Sequence, residues 1–176
     1  ITIQDANDRV VERAVLQVIR PLTESQYFDT NLGFRSPGYS REDALALAER
    51  IAFDTERWVW LSEDQRDAFD NVPIGRLMQA IQPVIRNDQL CSFIQRLVHT
   101  GRRRGIRQGG PLSPELLNLY NHTHLDRWWR SRYPDVPLLR VADDILILAS
   151  SVEEAQDLHG ALADQCRSIG LSVKGT

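Results

Sequence analysis

Apolar residues recur at every third or fourth position in six stretches of the chain, which is the spacing of a helix that buries one face. Ser40 with Asp43 and Ser151 with Glu154 have the spacing of capping boxes, so they mark the starts of two of these helices. Pro21 lacks a backbone N–H and is expected to end the first helix. The pattern predicts helices over residues 8–19, 40–51, 74–85, 90–98, 113–130 and 151–170.

Other stretches are short, apolar and rich in residues that favour strands. Residues 58–61 are almost wholly apolar, which favours a central strand, and residues 171–173 predict a returning strand. Residues 138–150 predict two strands joined by a hairpin turn at or beside residues 142–144. With the two middle helices set aside as an insertion, the order from the first strand on is strand, helix, strand, strand, helix, strand. This order is typical of ferredoxin-like sheets, so we predict an α+β fold.

Composition supports one globular domain, because 42% of the 176 residues are apolar and 26% are charged. No apolar stretch approaches the roughly 20 residues that a membrane helix needs, so we expect no membrane partner. Cys91 and Cys166 lie within helical patterns, which favours buried free thiols and hence a reducing, cytoplasmic location. Because the sequence begins with Ile1 and shows no leader segment, we expect a piece of a longer protein.

Positive charge is concentrated in one part of the chain. Residues 101–140 contain eight arginines and three acidic residues, a net charge of +5, whereas the whole chain carries −3. Lysine and arginine gain free energy when they neutralise phosphates and release counterions, so this block fits a surface that faces nucleic acid. The alternative is a solvated, arginine-rich loop, which composition alone slightly favours.

Acidic residues lie at two of the predicted strand ends. Asp64 follows the first strand, and Asp143 and Asp144 lie in the hairpin. Because strand ends in such a sheet are neighbours, these three carboxylates would form one cluster, which needs a hard cation such as Mg²⁺ between its members to stay ionised. Two such ions roughly 3.5 to 4 Å apart can promote nucleotidyl transfer. The alternative is a charged helix start and an ordinary polar turn, and spacing alone does not separate the two interpretations.

Five blocks of the sequence resemble the reverse transcriptase family in order and in spacing, and most closely its bacterial, group II intron-like members. Together they extend over essentially the whole chain, and five blocks in the family's order are a highly specific signal. The blocks are DRVV at 8–11, GFRSPG at 33–38, DQRDAFDNV at 64–72, GIRQGGPLSP at 105–114 and VADD at 141–144.

The resemblance implies an RNA-directed DNA polymerase whose catalytic residues are acidic. It makes Asp64 and Asp143 the principal ligands of two Mg²⁺ ions, with Asp144 the neighbouring acid of the same motif and Mn²⁺ the alternative ion. The implied substrates are an RNA template, a DNA or RNA primer, and deoxynucleoside triphosphates.

The resemblance also implies which residues bind the nucleotide. Phe69 matches the aromatic residue that lies beneath the incoming sugar and excludes a 2′-hydroxyl, although a core phenylalanine is the commoner fate of this residue type. Asp67 and Ala68 match the backbone stretch near the triphosphate. Gln108 matches the glutamine that borders the nucleotide pocket.

Nucleic-acid contacts are implied for two glycines and four arginines. Gly109 and Gly110 would let the backbone approach the template closely. A solvated surface is the competing explanation for each arginine. The arginines that could hold template or primer phosphates are Arg35, Arg102, Arg103 and Arg104.

The resemblance further implies a polymerase palm with the ferredoxin-like order, preceded by a helical fingers segment. We predict that residues 1–57 form the fingers segment and residues 58–176 the palm with inserted helices. The fingertip and the thumb are missing from the pattern, so we expect further domains in the parent chain. Two positions depart from the family pattern. Val141 stands where the family usually has an aromatic residue that contacts the primer end. Lys174 lies three positions before the place where the family resemblance expects a lysine.

Two other functions remain open at this stage. A palm-like module without catalytic activity could bind RNA or a protein through the arginine-rich block. A nucleotidyl cyclase also uses paired carboxylates on a ferredoxin-like sheet, but the block at residues 105–114 argues against it.

Overall fold

The computed structural model describes residues 5–35, 38–99, 101 and 103–175, so Arg102 of the predicted nucleic-acid contacts lies outside the described residues. In chain order the elements are α1 (Ala6–Glu24), α2 (Arg41–Thr55), β1 (Val59–Asp64), α3 (Ala68–Asn71), α4 (Ile74–Ile85), α5 (Asp88–Val98), α6 (Ser113–Asn121), a π-helical turn (His122–Asp126), α7 (Arg127–Arg132), β2 (Leu138–Val141), β3 (Asp144–Ala149) and α8 (Val152–Ser168). The predicted helices and the first three predicted strands occur in the predicted order, while α3 is additional and a π-helical turn divides the helix predicted over residues 113–130.

The described residues form two compact units. Unit 1 contains the residues up to Tyr27 together with Asp67–Thr123, and unit 2 contains Phe28–Arg66 together with the residues from His124 on. The division into a fingers segment and a palm at residue 57 is a different one, and it stays a prediction.

Unit 1 is helical, and its helices bury the apolar stripes that the sequence predicts. Helix α4 has the predicted bounds, and α5 begins two residues earlier than predicted because Asn87 caps it by accepting the Leu90 amide over 2.9 Å. The core of the unit is aliphatic and inaccessible to solvent. Its fully buried residues include Ile19, Leu77, Ile81, Ile94, Leu116 and Leu117.

The prediction that Pro21 ends the first helix is wrong, because α1 continues to Glu24. The last turn after the proline is held by Thr23, whose hydroxyl donates to the Glu115 carboxylate over 2.6 Å and lies 3.0 Å from the Arg20 carbonyl. A tertiary hydrogen bond to a buried carboxylate thus offsets the backbone bond that proline removes.

Unit 2 is an antiparallel three-stranded sheet in the order β1-β3-β2 with helices packed on it. Alanines of α2 pack on one face, where Ala48 and Ala52 form a buried cluster with Leu139 and Leu148. Helix α8 packs on the other face, where its His159 meets Glu63 of β1. The fold is therefore α+β, as the sequence predicts.

Both capped helices of unit 2 begin where the sequence predicts. Ser40 accepts the Asp43 amide while Asp43 accepts the Ser40 amide, which completes a capping box. Ser151 also accepts the Glu154 amide, but the Glu154 carboxylate binds the amide of Ser150 instead, so only half of the second box forms.

The expectation of a central strand at residues 58–61 is wrong for the described sheet, in which β1 lies at the edge. The apolar residues of this stretch are not all buried as in a central strand, because Trp58 is 57% and Trp60 40% exposed to solvent. Trp129 of α7, in contrast, is buried and donates from its indole nitrogen to the Val136 carbonyl.

The predicted last strand is reduced to a single antiparallel bridge between Val173 and Gln65. Next to this bridge, the Lys174 amide donates to the Asp64 carbonyl over 2.9 Å. The Gln65 amide points to the opposite side and donates to the Asp143 carbonyl, so the bridge lies on the outer side of β1.

The expectation of buried free thiols is met. Cys91 and Cys166 are buried free thiols, and burial raises the pKa of Cys166 to about 11, which keeps it protonated. Among the helices of the described residues, none combines the length and the apolar character needed to cross a membrane.

Candidate active site

The strand pairing of unit 2 brings the three predicted catalytic acids to one end of the sheet. Asp64 is the last residue of β1 and Asp144 is the first residue of β3, and the two are direct partners in the register. Asp143 lies in the two-residue turn between β2 and β3, with its carbonyl bound by the Gln65 amide over 3.1 Å.

Charges at this end of the sheet perturb one another. Partial burial raises the pKa of Asp144, and the negative charges of Asp143 and Asp64 raise it further. The Lys174 ammonium lies 2.9 Å from Asp64 Oδ1, and this contact raises the pKa of the lysine. One cation of the chain therefore offsets part of the repulsion among three carboxylates.

Carboxylate oxygens are the ligands that Mg²⁺ prefers, so the chemistry of this donor set fits the ion that the sequence predicts. Within the described part of the chain, however, no three His, Cys, Asp or Glu side chains converge in an arrangement that could hold a metal ion. The donor type fits a divalent cation, while the described side chains do not meet at one point and one of them, Asp64, contacts Lys174 instead.

An apolar groove of about 260 Å³ lies beside the acids in unit 2. It runs between the start of α2 and one face of the sheet, and Val141 and Asp144 contribute to its wall. Val141 is half-exposed there, at the position where the family resemblance expects an aromatic residue. The other lining residues include Ala44, Leu45, Trp60 and Leu139.

The predicted nucleotide-binding residues come together in unit 1. Asp67 precedes α3 in a left-handed conformation with φ of 47°, Ala68 is buried, and Phe69 is half-buried. The Ile106 amide donates to the Phe69 carbonyl over 2.8 Å, which fixes the following loop against α3. Gln108 then donates to the Asp70 carboxylate over 3.1 Å.

Gly105 explains why this loop can lie so close to α3. Its φ of 91° is in the left-handed region, and a Cβ atom at this position would lie 3.0 Å from the Asp70 carbonyl oxygen. Only glycine combines that backbone angle with that approach at low cost. The local backbone therefore determines where Gln108 lies.

The predicted nucleic-acid contacts fall in two places. Gly109 and Gly110 line an open groove of about 570 Å³ in unit 1, and Arg103 and Arg104 are exposed in the same unit. Arg35 belongs to unit 2, where its guanidinium donates to the carbonyls of Phe28 and Asn31, each over 3.2 Å.

The groove of unit 1 contains two arginines that the sequence analysis did not single out. Arg9 and Arg13 of α1 line the groove together with Gly109 and Gly110. The signal in the sequence is their spacing of four residues, which places both on one helix face. Arg107 links the loop to α1 through an ion pair with Asp8 of 3.1 Å.

We predict that Asp144→Asn stabilises the metal-free protein. A carboxyl whose pKa is raised by folding disfavours the folded state once it ionises, so this cost appears as the pH rises above the ordinary aspartate value of 3.8. The melting temperature in EDTA should rise by a few degrees at pH 7, and the gain should vanish below pH 3.8.

Asp43→Asn is the control of opposite sign. The Ser40 amide donates a hydrogen bond to the Asp43 carboxylate, which lowers the pKa of Asp43. The ionised carboxylate therefore favours the folded state at pH 7, so Asp43→Asn should melt at a lower temperature than wild type. A lower melting temperature for Asp144→Asn at pH 7 would contradict the proposed repulsion.

The chain has relatives among known proteins. Protein YkfC of Escherichia coli strain K12 is 25% identical over 205 aligned residues, which cover 92% of the chain and 52% of YkfC. The group II intron-encoded protein LtrA of Lactococcus lactis is 29% identical over 130 residues, which cover 69% of the chain and 21% of LtrA. The chain thus spans only part of each relative.

Solved telomerase structures share the fold of the chain. A telomerase from Candida tropicalis, in complex with a TWJ fragment of telomeric RNA, matches 93% of the chain with a TM-score of 0.70 and 12% identity, over 32% of its own length. A telomerase from Candida albicans matches 93% of the chain with a TM-score of 0.68 and 14% identity, over 33% of its length. The family model described as reverse transcriptase (RNA-dependent DNA polymerase) matches residues 1–176. The chain belongs to the reverse transcriptase family.

Proposed function

We propose that this chain is the fingers and palm core of an RNA-directed DNA polymerase, with residues 1–57 and 58–176 as the two segments. Its reaction joins a deoxynucleotide to the 3′ end of a primer on an RNA template. The observation that carries the proposal is the gathering of Asp64, Asp143 and Asp144 at one end of the sheet, in a chain of the reverse transcriptase family.

The three acids are the proposed catalytic residues. Asp64, Asp143 and Asp144 would hold two Mg²⁺ ions, or Mn²⁺ in their place, which supply electrostatic stabilisation of the phosphate that reacts. In the reaction, the primer 3′-oxygen forms a bond to the α-phosphorus, the bond from that phosphorus to pyrophosphate breaks, and the hydroxyl proton is lost. Asp64 and Asp144 are direct partners in the register of β1 and β3, which supports this role.

Nucleotide selection is the proposed role of Asp67, Ala68, Phe69 and Gln108. Two contacts of unit 1 support it: the Phe69 carbonyl accepts the Ile106 amide, and Gln108 binds Asp70. The first bond holds the Phe69 backbone against the following loop, and the second joins that loop to the neighbouring Asp70, so the ring can serve as a fixed wall against a 2′-hydroxyl.

The order of strands supports a ferredoxin-like palm. The sheet order β1-β3-β2 is the order of the two central strands and one edge strand of such a palm. Val173 bridges to the side of β1 that faces away from β3, where the fourth strand of the proposed order belongs. We propose that residues 171–173 begin this fourth strand.

Binding of nucleic acid is proposed for Arg103, Arg104, Gly109 and Gly110, with Arg35 and Arg102 as the remaining candidates from the sequence. An exposed pair of arginines and an open groove that contains two further arginines support a phosphate-binding surface in unit 1. The proposed ligands are the RNA template and its DNA or RNA primer.

One observation favours a module without catalytic activity as the second candidate. Lys174 contacts Asp64, the position where the polymerase would need a divalent cation. In a non-catalytic module, Lys174 would be the permanent counter-ion of the acid cluster, and the chain would bind RNA or a protein without chemistry.

Asp143→Asn separates these two candidates. We expect primer extension by the protein that carries this chain to fall about 100- to 1,000-fold, because one ligand of the proposed metal ions that stabilise the reacting phosphate is lost. The substitution keeps the side-chain volume, so the melting temperature should stay within a few degrees. Asp157→Asn, an exposed acid of α8, is the control and should leave extension unchanged. Equal extension by Asp143→Asn and wild type would exclude the proposed mechanism.

Phe69→Ala tests the nucleotide role. We expect the preference for deoxynucleotides over ribonucleotides to fall about tenfold or more when both compete in one reaction, because the steric wall is removed. Measuring a ratio cancels any general loss of activity. Phe93→Ala removes another half-buried phenylalanine of unit 1 and should keep the wild-type ratio. The same ratio in Phe69→Ala would show that this ring only packs in the core.

Replacing Arg103 and Arg104 together by alanine tests the nucleic-acid surface. Binding of a primer-template duplex should weaken about equally for every sequence, because phosphate contacts carry no base information. The slope of log affinity against log salt should become shallower by about 0.7 to 0.9 for each phosphate that is no longer neutralised. Arg86 with Arg96 is a matched pair of exposed arginines in unit 1. Identical slopes for the two double variants would assign Arg103 and Arg104 to the solvated surface.

A further inference from the structure

A fully buried arginine lies behind the turn that carries Asp143. Arg140 of β2 is 1% exposed, and its guanidinium makes two parallel hydrogen bonds to the Asp126 carboxylate, of 2.8 Å from Nε and 2.7 Å from Nη2. Its remaining nitrogen, Nη1, donates over 2.8 Å to the carbonyl of Ala142, the residue immediately before Asp143. One side chain therefore joins a buried carboxylate to the backbone of the turn.

The carboxylate is itself fixed. Asp126 is the last residue of the π-helical turn and is almost fully buried, and the Asn31 side-chain amide donates to its second oxygen over 3.3 Å. The backbone around Asn31 also pairs with Arg140, because the Leu32 amide donates to the Arg140 carbonyl and the Arg140 amide donates to the Thr30 carbonyl. Arg140 is thus held by its main chain and its side chain at once.

The turn needs such support because its backbone is strained. Ala142 has φ of 61°, a left-handed conformation that residues with a Cβ atom avoid. Gly33 presses against it so closely that a Cβ atom on the glycine would lie 2.2 Å from the Ala142 nitrogen. The turn therefore has Gly33 close to the Ala142 nitrogen and the Arg140 guanidinium bound to the Ala142 carbonyl.

The stability of the folded protein alone does not explain why a buried ion pair between Arg140 and Asp126 stands here. A buried ion pair loses most of its Coulomb attraction to the cost of desolvation, and an apolar pair of similar volume often stabilises a protein as well or better. What an apolar pair cannot supply is a directed N–H donor at the Ala142 carbonyl. A bidentate contact to Asp126 fixes the plane of the guanidinium and hence the direction of the third bond.

We propose that Arg140 is a positioning residue that holds Asp143 in place by clamping the backbone of its turn against Asp126. The proposal rests on the proposed polymerase function, in which Asp143 is catalytic. Arg140 is buried, and its bond to the Ala142 carbonyl gives it a route to Asp143 through the backbone of the turn. Loss of the clamp should lower the rate of the chemical step and leave nucleotide binding almost unchanged.

The test uses the double variant Arg140→Met with Asp126→Leu in the protein that carries this chain. Both charges are removed together, so no unpaired charge stays buried, and the melting temperature should remain within a few degrees of wild type. Hydrogen exchange of the amides of residues 142–144, measured without metal, should become at least about tenfold faster. In primer extension, kcat should fall about 10- to 100-fold while KM for the deoxynucleotide changes less than about twofold.

Arg57→Met with Glu154→Leu is the matched control. This pair also lies in unit 2 and forms an ion pair of 2.8 Å, but it has no bond to the turn. We expect wild-type exchange at residues 142–144 and wild-type kcat. If the Arg140 double variant does not fold, Arg140→Lys takes its place, because lysine keeps the charge beside Asp126 and cannot bond both partners in fixed directions.

Each outcome of these measurements either supports the proposed role of Arg140 or contradicts one of the two proposals. Faster exchange with a lower kcat and an unchanged KM supports the clamp. Unchanged exchange, or faster exchange with unchanged kcat, overturns it. A wild-type protein without primer extension would instead overturn the proposed function, and in that case the exchange of residues 142–144 still shows whether Arg140 holds the turn.

Discussion

The candidate active site depends on a sheet that forces like charges together. Asp64 and Asp144 are direct partners because the strands before and after them pair along their whole length. Repulsion between two carboxylates about 4 Å apart costs about 1 kcal/mol in water and about 4 kcal/mol near a protein surface. Burial of one large aliphatic side chain contributes about 1.5 to 3 kcal/mol. Ile145, Ile147 and Leu148 of β3 are all buried, so the packing of this one strand outweighs the repulsion at its end.

Local signals in the sequence were sufficient for much of this arrangement. The capping serines of α2 and α8 and the apolar stripe of α4 act within a few residues, so their positions could be predicted. The hairpin of β2 and β3 could be predicted for the same reason, and with it the acidic turn. The family resemblance then supplied roles for Phe69 and Gln108, which composition and spacing leave unassigned.

Features that depend on distant partners could not be predicted in this way. Pro21 lies inside α1 because Glu115, more than 90 positions away, holds Thr23. The aromatic run in β1 has the composition of a central strand, but the sequence does not show that only one side of β1 is paired along its length. Arg140 contacts Asp126, which is the last residue of the π-helical turn, and such a turn adds one residue per turn without a clear sequence signal.

The distribution of tryptophan has a consequence for spectroscopy. All four tryptophans of the chain, at positions 58, 60, 128 and 129, belong to unit 2, and they include both exposed and buried indoles. Fluorescence excited selectively at tryptophan therefore reports on the unit that contains the acids and does not report on the helices of unit 1. Circular dichroism, in contrast, is dominated by helices from both units. A comparison of the two signals during denaturation distinguishes one cooperative transition from separate unfolding of the two units.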